Sequence, residues 1–259
     1  MNYGLYIAAS GMMTNMARLD VASNNLANVN TVAFKPDMVG VRQRDTVTVE
    51  DNLPFADSNR MLERLGAGPW PSKTASAFAP GALEKTGRPL DVALQSEGFF
   101  ALQRGGQGDI AYTRDGRFTI DSGGVLVSAT TGHPVLSENE RVIRLDTSGR
   151  VTIHSDGRVE QNGSIAARLR VRGIGDTSRL EKSGQNLYTL DAGPNGRESQ
   201  ERVVPVRMEQ GFLEQSGVNA VRAMTAVRDA SGAAQGAGRM IRYFDSLMDS
   251  AINTLGAVS

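Results

Sequence analysis

"NNLANVNT" occupies residues 24–31, and four of its residues are Asn. Asn is a poor helix former and a good turn former, because its short amide competes for nearby backbone groups. Yet the stretch before it reads as a helix. Leu5, Met12, Leu19 and Leu26 recur at every seventh position, and Ala9, Met16 and Ser23 form a second row with the same spacing. Interleaved, the rows give the 4-3-4-3 pattern of a coiled-coil seam, with Ser23 its one polar member. A helix over Tyr3 to Ala27 is predicted, and Asn28 suits the left-handed residue that stops it. Asn24, Asn25 and Asn30 then need partners if buried. Asn24 and Asn25 could reach the chain as it doubles back, or a neighbouring copy. At least one partner of the three is expected on another copy or on the chain's own C-terminal helix.

The far end repeats the pattern. Val227, Ala230, Ala234, Ala237, Ile241, Phe244, Met248, Ala251, Leu255 and Val258 alternate by three and four. Arg228, Asp229, Gln235, Arg239, Arg242, Asp245 and Asp249 occupy the opposite face. Gly232, Gly236 and Gly238 interrupt this helix, each costing about 1 kcal/mol against Ala. Either a neighbouring helix approaches closely there or the helix forms on assembly, and a combination is expected. Arg239 and Arg242 follow at once, which argues against membrane insertion.

Composition excludes several classes. With 28 basic and 28 acidic residues the formal charge is zero, which argues against a strong electrostatic partner such as nucleic acid, where a basic stripe is expected. Zero net charge also does little to oppose self-association. The absence of Cys excludes disulfides, zinc thiolates and Cys nucleophiles. No segment reads as a membrane span. No basic residue precedes Arg18, and Ser10 and Gly11 break the first apolar run, so a conventional signal peptide is not expected. The chain is expected in the cytosol or exported by a route that reads no such signal.

From about Leu90 the texture changes to strands and tight turns. "DVALQSEGFFALQ" (91–103) reads as a strand pair around Gly98, and "YTRDGRFTID" (112–121) as a hairpin about Asp115-Gly116. Further turns are expected at Ser148-Gly149, Asp156-Gly157 and Asn162-Gly163, since Asp-Gly and Asn-Gly tolerate the positive φ of hairpin turns. "MVGVRQRDTVTVED" alternates like a strand, while "GAGPWPSKTASAFAPGAL" reads as extended linker. The fold expected is mainly β with helical termini: an antiparallel β domain, barrel- or sandwich-like, plus N- and C-terminal helices forming a discontinuous coiled-coil layer. The ends must meet each other or the ends of other copies.

No catalytic constellation emerges. His133 and His154 are the two histidines, and His154-Ser155-Asp156 places three triad residue types side by side on a strand, where neighbours point to opposite faces. "RGGQGD" (104–109) precedes a strand rather than a helix, so it reads as a hairpin turn and not a phosphate loop. No metal, cofactor or enzymatic activity is expected.

"SNNLANVNTVAFKPD" (23–37) resembles the "ANNLANvnT-x-GFK" signature of the axial proteins of the bacterial flagellum, the rod and hook proteins. "GALEKTGRPLDVALQSEGFFAL" and "AYTRDGRFTIDSGGVLVSATTGHPVL" resemble the core of that family's β domain, and "SGQNLYTLDAG" and "QGFLEQSGVNAVRAM" its return segment. The resemblance covers nearly the whole chain in order, and the length resembles the group of distal and proximal rod proteins. Ala33 stands where the family has Gly, so positive φ is less expected there. "RDASGAAQGAG" (228–238) replaces a helix-favouring run of the "QRAYE" kind, so the usual mid-helix contacts are not carried over to it.

The resemblance implies a structural subunit of the flagellar rod that transmits torque from motor to hook. Its partners would be copies of itself, other rod and hook axial proteins, and the flagellar export apparatus, with no nucleic acid and no direct membrane insertion. It would leave the cytoplasm without a cleaved signal and reside in the basal body, spanning the periplasm. Residues 1–30 and 206–259 would form the inner assembly layer, 31–88 an extended linker or β-arm, and 89–205 the β-rich outer domain. The assembly seam would comprise Leu5, Ala9, Met12, Met16, Leu19, Leu26, Val227, Ala234, Ile241, Phe244, Met248 and Leu255, with Asn24, Asn25, Asn28 and Asn30 at the helix-end junction. A competing reading is a secreted β-rich carbohydrate-binding module or enzyme with helical dimerisation arms.

Overall fold

An apolar helical stripe needs a partner to cover it, and the chain carries one at each end. The computed structural model describes residues 3–45, 66–106, 108–191 and 201–256. Helix α1 spans Tyr3–Ala27 and α2 spans Ala220–Gly256. Asn219 caps α2, its Oδ1 accepting from the Arg222 amide at 3.0 Å. The helix runs unbroken through Gly232, Gly236 and Gly238.

After α1 come β1 (Asp37–Gln43) and β2 (Pro69–Ser76). The next strands are β3 (Leu83–Lys85), β4 (Val92–Leu94), β5 (Phe99–Gln103), β6 (Ile110–Thr113), β7 (Phe118–Ile120) and β8 (Leu126–Ser128). They are followed by β9 (Val151–Ile153), β10 (Arg158–Gln161), β11 (Ser164–Arg168), β12 (Val171–Ile174), β13 (Leu180–Lys182) and β14 (Leu187–Leu190). The last are β15 (Glu201–Arg202), β16 (Met208–Gln210) and β17 (Phe212–Glu214). The fold is mainly antiparallel β with helical termini, as expected.

The chain divides into two compact units. The helical unit takes residues 1–27, 37–77 and 218–259 and holds α1, α2 and the β1–β2 ribbon. The β unit takes residues 28–36 and 78–217. Its largest sheet has the order β13-β14-β6-β5-β12-β15, beside a three-stranded sheet β11-β10-β9 and the pairs β16-β4, β17-β3 and β7-β8.

Both faces of β5 are covered, which explains its unbroken apolar run. Phe100 and Leu102 join the larger core with Leu94, Phe118, Leu126 and Val159, and the Phe100 and Phe118 rings meet edge to face at 5.1 Å. Phe99 and Ala101 point the other way, into a second cluster with Tyr112 and Tyr188.

The hairpins at Asp156-Gly157 (β9–β10) and Asn162-Gly163 (β10–β11) form, with Gly157 at φ +90°, Asn162 at +52° and Gly163 at +79°. "RGGQGD" joins β5 to β6, Arg104 N donating to Asp109 O at 2.9 Å. Two expected pairings do not form. β4 pairs with β16 while β5 pairs with β6 and β12, so Gly98 separates strands of different sheets. β6 and β7 do not pair across Asp115-Gly116 either. Gly116 is there for closeness: a Cβ would sit 1.7 Å from the Val92 carbonyl oxygen, and the Val92 amide donates to Gly116 O. The supposed linker around Trp70 is also corrected, since residues 69–76 form β2, paired with β1.

Candidate functional site

The helical unit is built on two flanks of α1. One flank holds the ribbon. Ser10 Oγ donates to the Pro69 carbonyl, and Thr14 Oγ1 reaches the same oxygen at 3.2 Å and Ser10 O at 3.0 Å. Arg44 lies over the rings of Tyr6 and Trp70, 5.9 and 5.4 Å from their centroids. Ser10 and Thr14 are buried although both are polar, so an apolar period cannot find them. The other flank packs along α2. There the Phe244 ring closes over Gly4, where a Cβ would lie 2.7 Å from Phe244 Cζ.

The expected seam lines this contact without being closed by it. Leu5, Ala9, Met12, Leu19, Leu26, Val227, Ala234, Ile241 and Phe244 are half-buried, while Met16 and Met248 keep 49% and 40% of their surface exposed. The Leu255 side chain lies outside the described residues. The fully buried apolar positions are small: Ala8, Ala22, Ala223 and Ala230. No close helix approach is seen at the α2 glycines within this chain. Nothing lies within 4 Å of a Cβ built on Gly232 or Gly238, and Gly236 meets only the tip of Arg239.

A second apolar stripe stands outside the seam. Met240, Tyr243 and Leu247 follow the i, i+3, i+7 spacing one residue before Ile241, Phe244 and Met248, and they are 55%, 64% and 47% exposed. Ile252, Val221 and Met224 on α2 and Tyr6 and Met13 on α1 are exposed as well. Leu26, Met224, Val227, Ser231 and Gly232 line a groove of about 450 Å³ in the same unit. The sequence carries the second stripe in plain view, but a single best-fitting heptad hides it.

The Asn cluster resolves at Asn25. Its Nδ2 donates to Asp37 O at 2.8 Å and its Oδ1 accepts from Asp37 N at 2.9 Å, so one side chain imitates a strand partner for the first residue of β1. The partner of Asn25 is thus the chain doubling back, and neither α2 nor a second copy is needed for it. Asn28 does not adopt the left-handed conformation expected of it. Instead its carbonyl and Oδ1 accept from the amide and hydroxyl of Thr31, both at 3.1 Å. Asn24 and Asn30 are exposed. The positive φ falls at Ala33, at +56°, correcting the expectation drawn from its side chain. Ala33 is buried and its amide is spent on Glu214 O at 2.8 Å, which holds the residue there.

Three family models match the chain: "Flagella basal body rod protein" over residues 5–35, "Flagellar hook protein FlgE/F/G D1 domain" over 93–161, and "Flagellar basal body rod FlgEFG protein C-terminal" over 209–254. The flagellar basal-body rod protein FlgF of Caulobacter vibrioides is 32% identical over 262 residues, covering 100% of both chains. That settles the family. This chain belongs to the flagellar basal-body rod proteins. FlgF of Mesorhizobium japonicum is 33% identical over the whole of both chains, and FlgG of Bacillus subtilis 29% identical over 96% of this chain and 97% of its own.

The rod chain is a structural subunit of the basal body. The carbohydrate-module reading finds no support, and Trp70 is engaged by Arg44 rather than offered to a sugar. His154 pairs with Glu160 at 2.8 Å and Asp156 with Arg158 at 2.7 Å, so the three neighbouring triad types do not converge. Among the described residues no three His, Asp or Glu side chains gather to hold a metal, and no helix is long and apolar enough to cross a membrane.

Proposed function

We propose that the rod chain polymerises through its terminal helices into the axial shaft that carries torque from motor to hook. The exposed apolar side chains of α1 and α2 carry this reading, because a helix pair that had finished its packing would not leave Met240, Tyr243, Leu247, Val221 and Ile252 in water. A shaft needs contacts that repeat without closing, and two stripes on one helix supply a face for the chain's own α1 and another for a neighbour. In this reading the assembly layer is built on α1 and α2 with their seam residues, the β1–β2 ribbon accompanies them, and residues 28–36 and 78–217 form the β-rich domain. The Asn24–Asn30 junction marks the passage from α1 into that domain. Partners are further copies and other axial proteins, reached after export by the flagellar apparatus without signal cleavage, and the role is not enzymatic. Deleting residues 1–28 tests this: motility is lost while the β unit stays folded. Normal swimming by that strain would sink the assembly role.

A further inference from the structure

The chain enters and leaves the β unit four times, at residues 27/28, 36/37, 77/78 and 217/218. Three of these crossings run through segments that meet inside the β unit around one buried carboxylate. Glu214 Oε1 accepts from Lys35 Nζ and from the Gly81 amide, each at 2.6 Å, and Oε2 accepts from Arg114 Nε at 3.0 Å. Lys35 Nζ also donates to Ala79 O at 2.7 Å, and Arg114 Nη1 to the carbonyls of Ser96 and Gly98 at 2.9 and 2.6 Å. The three side chains keep 0%, 3% and 1% of their surface for Lys35, Arg114 and Glu214. The backbones are stitched too: Ala33 N donates to Glu214 O, Gly217 N to Phe34 O and Gln215 N to Ala82 O, all within 2.8–2.9 Å. Lys182 and Asn186 grip the same segment through Lys35 O and Val32 O, both at 2.8 Å.

Burying three charges is a costly way to gain stability, since well-packed apolar residues of similar volume are often as good or better. What charges add is direction: Lys35 and Arg114 each aim their donors at several fixed acceptors on different segments. Each of the three family-matched stretches contributes one member, Lys35, Arg114 and Glu214.

We propose that Lys35, Glu214 and Arg114 form a lock that holds the crossing segments together as one rigid root of the β unit, so that load arriving along the chain does not part them. The rigidity stands on the geometry alone; its use under load rests on the rod reading.

The lock is tested by hydrogen exchange on the full chain, comparing wild type with Lys35→Met and, as a near-isosteric second variant, Glu214→Gln. The amides of Ala33, Gly81 and Gly217 should exchange about tenfold faster, while those of Ala101 and Leu136 in the sheet core stay unchanged. A uniform rise, or no rise, overturns the lock. In cells, Glu214→Gln should swim normally in thin medium and slow disproportionately in viscous medium. Undiminished swimming under load overturns the mechanical role. A strain lacking the whole chain that still swims would overturn the rod reading and leave the exchange result standing by itself.

Discussion

The Asn25 clamp makes the sharpest single-residue prediction. It joins the end of α1 to the start of β1 with two bonds of 2.8 and 2.9 Å to one backbone residue. Asn25→Ala removes both bonds from the half-buried Asp37 backbone, at a cost of about 2 kcal/mol. Asn25→Asp is nearly isosteric but worse. It keeps the bond from Asp37 N and sets an anionic oxygen against the Asp37 carbonyl. It also places a negative charge in the last turn of α1, which adds about 0.3–1 kcal/mol. The Asp37 carboxylate, already bonded to Ser76 at 2.6 Å, adds repulsion. We expect the helical far-UV signal to melt about 4–8 °C lower in Asn25→Ala, and lower again in Asn25→Asp. If Asn25→Asp melts with wild type, the clamp does not hold the junction and the fold of this corner is wrongly explained.

Ala33→Gly should stabilise the protein by about 0.5–1 kcal/mol, because relief of a left-handed alanine outweighs the extra freedom of glycine in the unfolded chain; a lower thermal midpoint would contradict it. Gly116→Ala should cost about 4 kcal/mol or more, since its Cβ meets backbone rather than a movable side chain, and loss of the near-UV signal of the β unit would report it. Burial lowers the Lys35 pKa against the opposing pull of Glu214, with Arg114 adding to the lowering. The folded chain therefore sheds this proton before the unfolded chain does, and stability gains from Lys35 as pH climbs from the folded value toward the ordinary lysine range. The difference in urea midpoint between wild type and Lys35→Met should grow in favour of wild type over that window, and a flat difference would contradict the sign.

The terminal helices were legible because a seven-residue apolar repeat has few other meanings, and both ends carry one. The turns at Asp156-Gly157 and Asn162-Gly163 were legible because those dipeptides are chosen for φ. At Asp115-Gly116 the same dipeptide serves a different need, the approach of Val92 O, and the local reading fails. Trp70 was misplaced for a similar reason: Pro and Gly around it suggest linker, while its strand partner is Arg42 in β1. The second stripe on α2 hides one residue from the first. Lys35 and Glu214 stand 179 residues apart, and no local pattern announces that two charges so separated will share a dry interior.

In the proposed rod the open apolar face of the terminal helices joins the chain to its neighbours. The direct measurement is incorporation into purified basal bodies of the triple variant Met240→Gln, Tyr243→Gln, Leu247→Gln. These side chains are already exposed, so the isolated variant should melt with wild type and be exported normally, yet be missing from the rod, leaving the cells immotile. Wild-type incorporation and swimming would contradict the account.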